Sequence, residues 1–247
     1  MLASADPVVR RATVRLPNWP AGARPVTVLL WSDLHLSDRA TGPERLKRLA
    51  GLANALRPDL IVLAGDYIAG HEPEDAAVAP ELRALRGLRA PFGVVAVMGN
   101  HDYWTDGRKV RRALEGAGVT MLANAAVRRG PLAVGGVDDM VNRRADVPAT
   151  MAAVRRAGGA ALLVSHSPDI APRLPADAPL LFAGHTHCGQ MLLPGYGPPV
   201  DVAARRYRCG AVREDGRLTI VTAGTGTSVL PMRLGAPPDW WLVTVGP

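Results

Sequence analysis

The chain has 247 residues, 48% of them hydrophobic and 21% charged, a globular balance that excludes a disordered or fibrous chain. Its apolar runs, such as Val26–Trp31 and Ala160–Val164, fall far short of the roughly 18 residues of a membrane-spanning helix, and the first residues lack an apolar core of signal-peptide length. The formal net charge is +7, but the arginines are dispersed in singles and pairs and aromatics are 4%, which argues against nucleic acid as a partner and leaves an acidic substrate or an anionic membrane surface compatible.

In chain order, Val26–Asp33 reads as a buried strand. Thr41–Glu44 (TGPE) has the form of a capping box with proline in the first turn, and it opens a helix with Leu46, Leu49, Ala53 and Leu56 on one face. Asp59–Asp66 is a second buried strand. Glu74–Leu88 reads as a helix turning Val78, Leu82, Leu85 and Leu88 inward. Gly93–Asn100 is a third strand, after which Thr105 is placed to cap a helix carrying Val110, Leu114 and Ala117. Val119–Leu122 and Leu132–Val137 follow as strands, Val147–Ala157 as a helix and Gly159–His166 as a buried strand. Ser167 caps a short helix with Pro168 in its first position, and Pro179–Gly184 is the next strand. The tail changes texture: Tyr207–Val212, Arg217–Thr222 and Trp240–Val245 are separate β runs joined by Gly/Pro-rich loops. The expected architecture is α/β, with two packed sheets flanked by helices in one domain spanning residues 1–247.

Five of the six histidines stand just past the ends of apolar strands, in loops that also carry Asp, Asn and Gly: SDLHL (32–36), GNHDY (99–103), SHS (165–167) and GHTHCGQ (184–190), with AGDY (64–67) as a fifth loop. Loops beyond the carboxyl ends of strands in an α/β sheet converge in space. Asp33, His35, Asp66, Asn100, His101, His166, His185 and His187 should therefore share one pocket. A set of carboxylate, amide oxygen and imidazole without thiolate suits Zn, Mn or Fe better than Ca or an iron–sulfur cluster. It is too large for one ion; two ions about 3.5–4 Å apart that share a carboxylate would use it.

These motifs, in this order, resemble those of the calcineurin-like metallophosphoesterases, D-x-H, G-D, G-N-H-[DE], H and G-H-x-H, across about residues 26–230. The words SDLHL, SHSPD and GHTHCGQ, with VRLPNWP near the start and PMRLGAPPDWWLVTV near the end, look most like the bacterial phosphodiesterase branch similar to YkuE and YaeI. The resemblance implies a four-layer α-β-β-α sandwich of two mixed sheets, with residues 1–25 and a terminal strand at 239–246 packed on the core. It implies two metal ions: Asp33, His35 and His187 on the first, Asn100, His166 and His185 on the second, and Asp66 bridging them. A hydroxide shared by the ions would attack phosphorus in line, and His101 would touch the phosphate or leaving oxygen. Asp102 stands where the family has Asp or Glu and is expected to orient His101 or a ligand.

The chain reads Tyr67-Ile68-Ala69-Gly70 where the phosphoprotein phosphatases of this superfamily carry V-D-R-G. The arginine that would clamp a phosphomonoester dianion is absent, which weakens a protein phosphatase and favours a phosphodiester or pyrophosphate bond; the first reading is a phosphodiesterase of small or phospholipid-like diesters. Two other readings stay open: a pyrophosphohydrolase of a nucleotide-linked lipid of the UDP-diacylglucosamine type, and a non-catalytic scaffold with the same fold. Peripheral membrane association is compatible with the charge. Location is open between the bacterial cytoplasm and, with an anchor or export signal ahead of Ala5–Arg15, the membrane or periplasm. His71 reads as a solvated loop residue, Cys188 as a small buried filler, and Trp240–Trp241 as packed in the terminal strand. Cys188 and Cys209 form either one disulfide or two free thiols, so the redox compartment is also open. Tyr67, Tyr103 and Trp104 fit a substrate wall and rim packing equally well, while the pairs Arg143–Arg144 and Arg205–Arg206 read as solvated surface.

Overall fold

In β2 (Val26–Trp31), β3 (Leu60–Ala64) and β4 (Val94–Val97) nearly every residue is buried. Strands covered on both faces lose the polar alternation of a half-exposed sheet and read as continuous apolar runs. The computed structural model, which describes residues 3–37 and 41–247, sets these three strands parallel. Their sheet is completed by β1 (Val8–Arg15), β5 (Thr120–Met121) and β12 (Asp239–Gly246) in the order β1-β12-β2-β3-β4-β5. The second sheet runs β10-β11-β9-β8-β7-β6. Its strands are β6 (Ala125–Arg129), β7 (Leu132–Gly136), β8 (Ala160–Val164), β9 (Leu180–Ala183), β10 (Gly210–Glu214) and β11 (Arg217–Val221). Both sheets mix parallel and antiparallel pairs.

Side chains alternate across a strand, and the cores follow that period. Val26, Val28 and Leu30 of β2 join Val62, Val95, Leu162, Phe182 and Ile220 in a core between the sheets. Leu29 and Trp31 point the other way, onto Leu46, Leu49, Leu82 and Leu114 of the covering helices. A third core sets Leu163 and Leu181 against Met151, Val154 and Ile170. The layers are thus α-β-β-α. The terminal tryptophans divide between two of them, Trp240 into the helix-side core and Trp241 into the inter-sheet core.

Several local expectations change. The helix α1 (Pro43–Ala55) begins after Gly42, and the Thr41 hydroxyl accepts from Arg45 instead of capping. The segment Pro73–Gly87 winds as a 3-10 helix with Pro80 inside it. Its buried face is therefore Ala76, Ala79, Leu82 and Leu85, the three-residue period of that winding, and Val78 is only partly buried. The motif loop after β4 turns into a short helix, α2 (Asn100–Trp104). The next helix, α3 (Gly107–Gly116), is capped by Asp106, which accepts from the Arg108 and Lys109 N–H groups, and Thr105 donates back to His101 O and Asp102 O. The helix α4 (Val147–Ala157) lies as expected, and Ser167 caps the short 3-10 turn Pro168–Arg173. Arg205–Tyr207 is a single turn, so the strand expected from Tyr207 starts at Gly210. The edge strands β1 and β6 are additions, because half-exposed runs rich in arginine lack the apolar signature of a central strand. Among the described residues no helix is long and apolar enough to cross a membrane.

Candidate metal centre

The carboxyl ends of β2, β3, β4, β8 and β9 open on one edge of the sandwich. Asp33 and His35 follow β2, Asp66 follows β3, Asn100 and His101 open α2 after β4, His166 follows β8, and His185 and His187 follow β9. Five of these residues sit in the left-handed backbone region: Asp33 (φ 50°), His35 (φ 43°), Asp66 (φ 55°), His185 (φ 71°) and His187 (φ 49°). That region is costly for residues with a Cβ, and such outliers cluster at functional sites. Here the turn swings each side chain inward immediately after its strand. Gly99 and Gly184 make the approach possible. A Cβ on Gly99 would collide with the Asp66 carboxylate, and one on Gly184 with Ser32 and the Asp33 carboxylate.

The side chains converge. His187 Nε2 is 3.0 Å from His35 Nε2 and 3.5 Å from Asp33 Oδ1. His35 Nε2 is 3.5 Å from Asp66 Oδ2, which lies 3.1 Å from His166 Nε2, and His185 Nδ1 is 3.2 Å from His166 Nε2. Three groups emerge whose donor atoms all lie within 4.8 Å of one another: Asp33–His35–His187, His35–Asp66–His101 and Asp66–His166–His185. Asp66 and His35 each belong to two of them. His101, which the resemblance leaves off both ions, is inside the middle group.

The donor set fits the two ions that the resemblance implies. The Asn100 Oδ1 atom is buried without a hydrogen-bond partner, a costly state for an amide oxygen unless something else satisfies it. Burial, with nearby positive charge, pulls His35 down to about 3 and His185 down to about 4, and holds His187 well below its ordinary value. These three imidazoles are therefore free bases at neutral pH, the form that ligates metal. Burial followed by the charge of Asp66 pushes Asp33 up to about 7. Burial also opposes the charge on Asp66, but His166, His101 and His35 outweigh it and hold that carboxyl well below the usual range. His166 resists its own burial through Asp66 and Asp33 and rises to about 10.

Other residues hold the loops. Asp102 is buried and accepts from the N–H groups of Gly99 (2.8 Å), Tyr67 (2.8 Å) and Asp66 (3.1 Å). Of the two partners expected for it, it therefore holds the turn of Asp66, a candidate ligand, and not His101, whose Nδ1 is held by the Gly70 carbonyl at 2.7 Å. His166 Nδ1 is held in the same way by Ala64 O at 2.8 Å. The sequence reading missed Arg233. Only 2% exposed, it donates to the carbonyls of Ala223, Gly226 and Ala236 and lies 3.3 Å from His187 Nδ1. One arginine among so many carries no signal in sequence. His71 is exposed but stacks on Trp104 at 5.3 Å, with His101 4.7 Å away. Cys188 is buried with Ala223 and Ala236, as a filler would be, and is bridged to Cys209, the first of the two expected states of the pair. A groove of about 300 Å³ opens beside the centre on its His35–His101 side, with Gly70, His71, Ser228 and Val229 also in its wall.

The model of the calcineurin-like phosphoesterase family matches residues 26–189. The uncharacterized metallophosphoesterase YkuE of Bacillus subtilis (strain 168) is 32% identical over 244 residues, covering 94% of this chain and 83% of its own. Phosphodiesterase YaeI of Escherichia coli (strain K12) is 30% identical over 236 residues, covering 91% and 84%. Among solved structures, a 5′-nucleotidase precursor from Thermus thermophilus superposes with a TM-score of 0.54 at 14% identity, over 90% of this chain and 55% of that one, which shows a shared fold. The chain spans 41% of the length of one longer curated relative. The family match runs from β2 past the last histidine of the centre, and the chain therefore belongs to the calcineurin-like phosphoesterase family, a family of metal-dependent phosphoesterases.

Proposed function

We propose that the chain hydrolyses phosphodiesters at a centre of two divalent ions, Mn, Zn or Fe, held by Asp33, His35, Asp66, Asn100, His166, His185 and His187. The observation that carries this reading is the chain of three donor groups joined through Asp66 and His35. A bound pair of such ions supplies Lewis acidity, which offsets charge on a phosphoryl group and brings the pKa of a water from 15.7 to about 7. The protein's own part is positional. Asp33 accepts from the His185 N–H and Asp66 from the His101 N–H, so each carboxylate also fixes the loop facing it. The Gly70 carbonyl takes up Nδ1 of His101. The carbonyl only accepts, so Nδ1 carries its proton and Nε2 is the nitrogen that faces a leaving oxygen; when the ring holds a second proton there it hands that proton over and returns to the neutral Nδ1–H form, a contribution typically worth about 10²–10⁴-fold.

The diester preference rests on what faces the groove. Its wall contains no lysine or arginine among the described residues, whereas recognition of a dianionic phosphomonoester favours a bidentate arginine. The residues after Asp66 do not provide one. The Tyr67 hydroxyl is buried on Leu63 O and Val97 O, and Ala69 and Gly70 line the groove. The test is to strip the protein with chelator, reload it with Mn, Zn or Fe, and compare bis(p-nitrophenyl) phosphate with p-nitrophenyl phosphate. Two ions per chain and faster turnover of the diester are expected. Faster turnover of the monoester overturns the preference, and full turnover without metal overturns the centre.

A further inference from the structure

The large apolar side chains that the fold leaves exposed are not scattered. Of twelve among the described residues, eight fall in residues 193–202 and 229–234. The two segments are one surface. The Leu192 N–H donates to Leu234 O and the Leu234 N–H to Gln190 O, both at 2.8 Å, while the Gln190 side chain donates to Ser228 O and Leu230 O and accepts from the Ser228 N–H. Its base is anchored: the Cys188–Cys209 bridge closes the first segment, and Leu192 packs on Cys188, Ala223 and Ala236. Its tips project, with Tyr196 80% and Val229 83% exposed. It adjoins the metal centre. Thr227, Ser228, Val229 and Pro231 line the groove with His35 and His101.

We propose that these two loops dock on an anionic lipid bilayer and bring the groove to the phosphodiester of a phospholipid headgroup. The docking stands on the surface alone; the choice of substrate rests on the phosphodiesterase reading above. Singly exposed apolar side chains are ordinary, but a contiguous group beside a groove marks an interaction site. Charge selects the partner. Residues 188–209 and 224–238 contain three arginines outside the core, Arg205, Arg206 and Arg208, and one acidic residue, Asp201, which is already paired with Arg205 and Arg208, while Arg206 reaches Glu214 and Arg233 is buried beside His187. A second copy would meet the same positive surface, whereas anionic headgroups complement it and apolar tips enter the acyl boundary. A water-soluble diester would need no apolar surface outside the groove.

The experiment sediments the metal-loaded protein with vesicles of phosphatidylcholine and phosphatidylglycerol in equal parts, and with phosphatidylcholine alone. It compares the wild type with the triple variant Tyr196→Ser, Leu230→Ser, Met232→Ser, three exposed positions outside the groove wall. The wild type should favour the anionic vesicles, and the variant should lose about tenfold or more of that binding while hydrolysing bis(p-nitrophenyl) phosphate at the wild-type rate. A wild type that stays in the supernatant, or a variant of wild-type melting temperature that still pellets, overturns the docking. So does a wild-type dimer in sedimentation velocity that the variant dissociates without any vesicle binding. Binding to anionic vesicles with no hydrolysis of either vesicle lipid or the nitrophenyl diester supports the docking and overturns the phosphodiesterase reading instead.

Discussion

The histidines of the centre differ in how their rings are held, and that difference assigns their work. His166 is fixed through Nδ1 by a backbone carbonyl and turns Nε2 toward Asp66, inside the donor group these two form with His185. His101 is fixed only through Nδ1, by Gly70 O, and stands in the groove wall. We expect His101→Ala to retain both metals, measured by elemental analysis, and to lose about 10²–10⁴-fold in kcat. The loss should shrink for diesters with nitrophenol leaving groups, which need little protonation. A loss that stays flat across leaving groups would make His101 a phosphate-binding residue, and a lost metal would make it a ligand. The convergence of these residues was legible in sequence because motif spacing reveals residue type and order. For Asp102 the sequence left two partners open, His101 or a ligand, and for Arg233 it gave no signal, because each acts through backbone atoms whose positions no side-chain pattern encodes.

At the level of elements, the parallel strands and their loops were the most legible, since burial on both faces leaves an unbroken apolar run. Helix starts were the least legible. Thr41 and Thr105 both carry capping chemistry, yet the chain enters its helices one residue later, after Gly42 and at Asp106. The disulfide is the element whose removal is most informative. It closes a loop of 21-residue separation that holds part of the apolar surface. Cross-linking a loop of this size stabilises by about 3 kcal/mol in the chain-entropy account. The double variant Cys188→Ser, Cys209→Ser should accordingly melt roughly 6–12 °C lower by calorimetry. An unchanged melting temperature would mean that the hydrogen bonds of Gln190 and Leu192 already hold the loop.

Across the whole molecule the centre is a joint between the two sheets. Asp33, His35, Asp66 and Asn100 come from the first sheet, and His166, His185 and His187 from the second. Ions bound there therefore tie the halves together in addition to the apolar core beneath them. A ligand present at a hundred times its Kd stabilises the folded state by about 2.7 kcal/mol. For a chain of this size, filling even one site should then raise the melting temperature by roughly 5–10 °C over the chelated protein. Calorimetry with and without chelator checks this, and equal melting temperatures would show that the sheets do not share the ions.

The sequence by itself determined the alternation of strands and helices, the two-sheet architecture and which motif residues converge at one edge, because these depend on local apolar periodicity and on residue types at short spacings. Tertiary structure decided what depends on atoms distant in the chain. It paired Cys188 with Cys209, turned Asp102 onto the Asp66 loop, buried Arg233 against His187, and gathered residues 193–202 and 229–234 into one exposed apolar surface beside the centre. Each of these is a contact between segments whose separation in sequence carries no information about their distance in space, and only the packing of the two sheets brings them together.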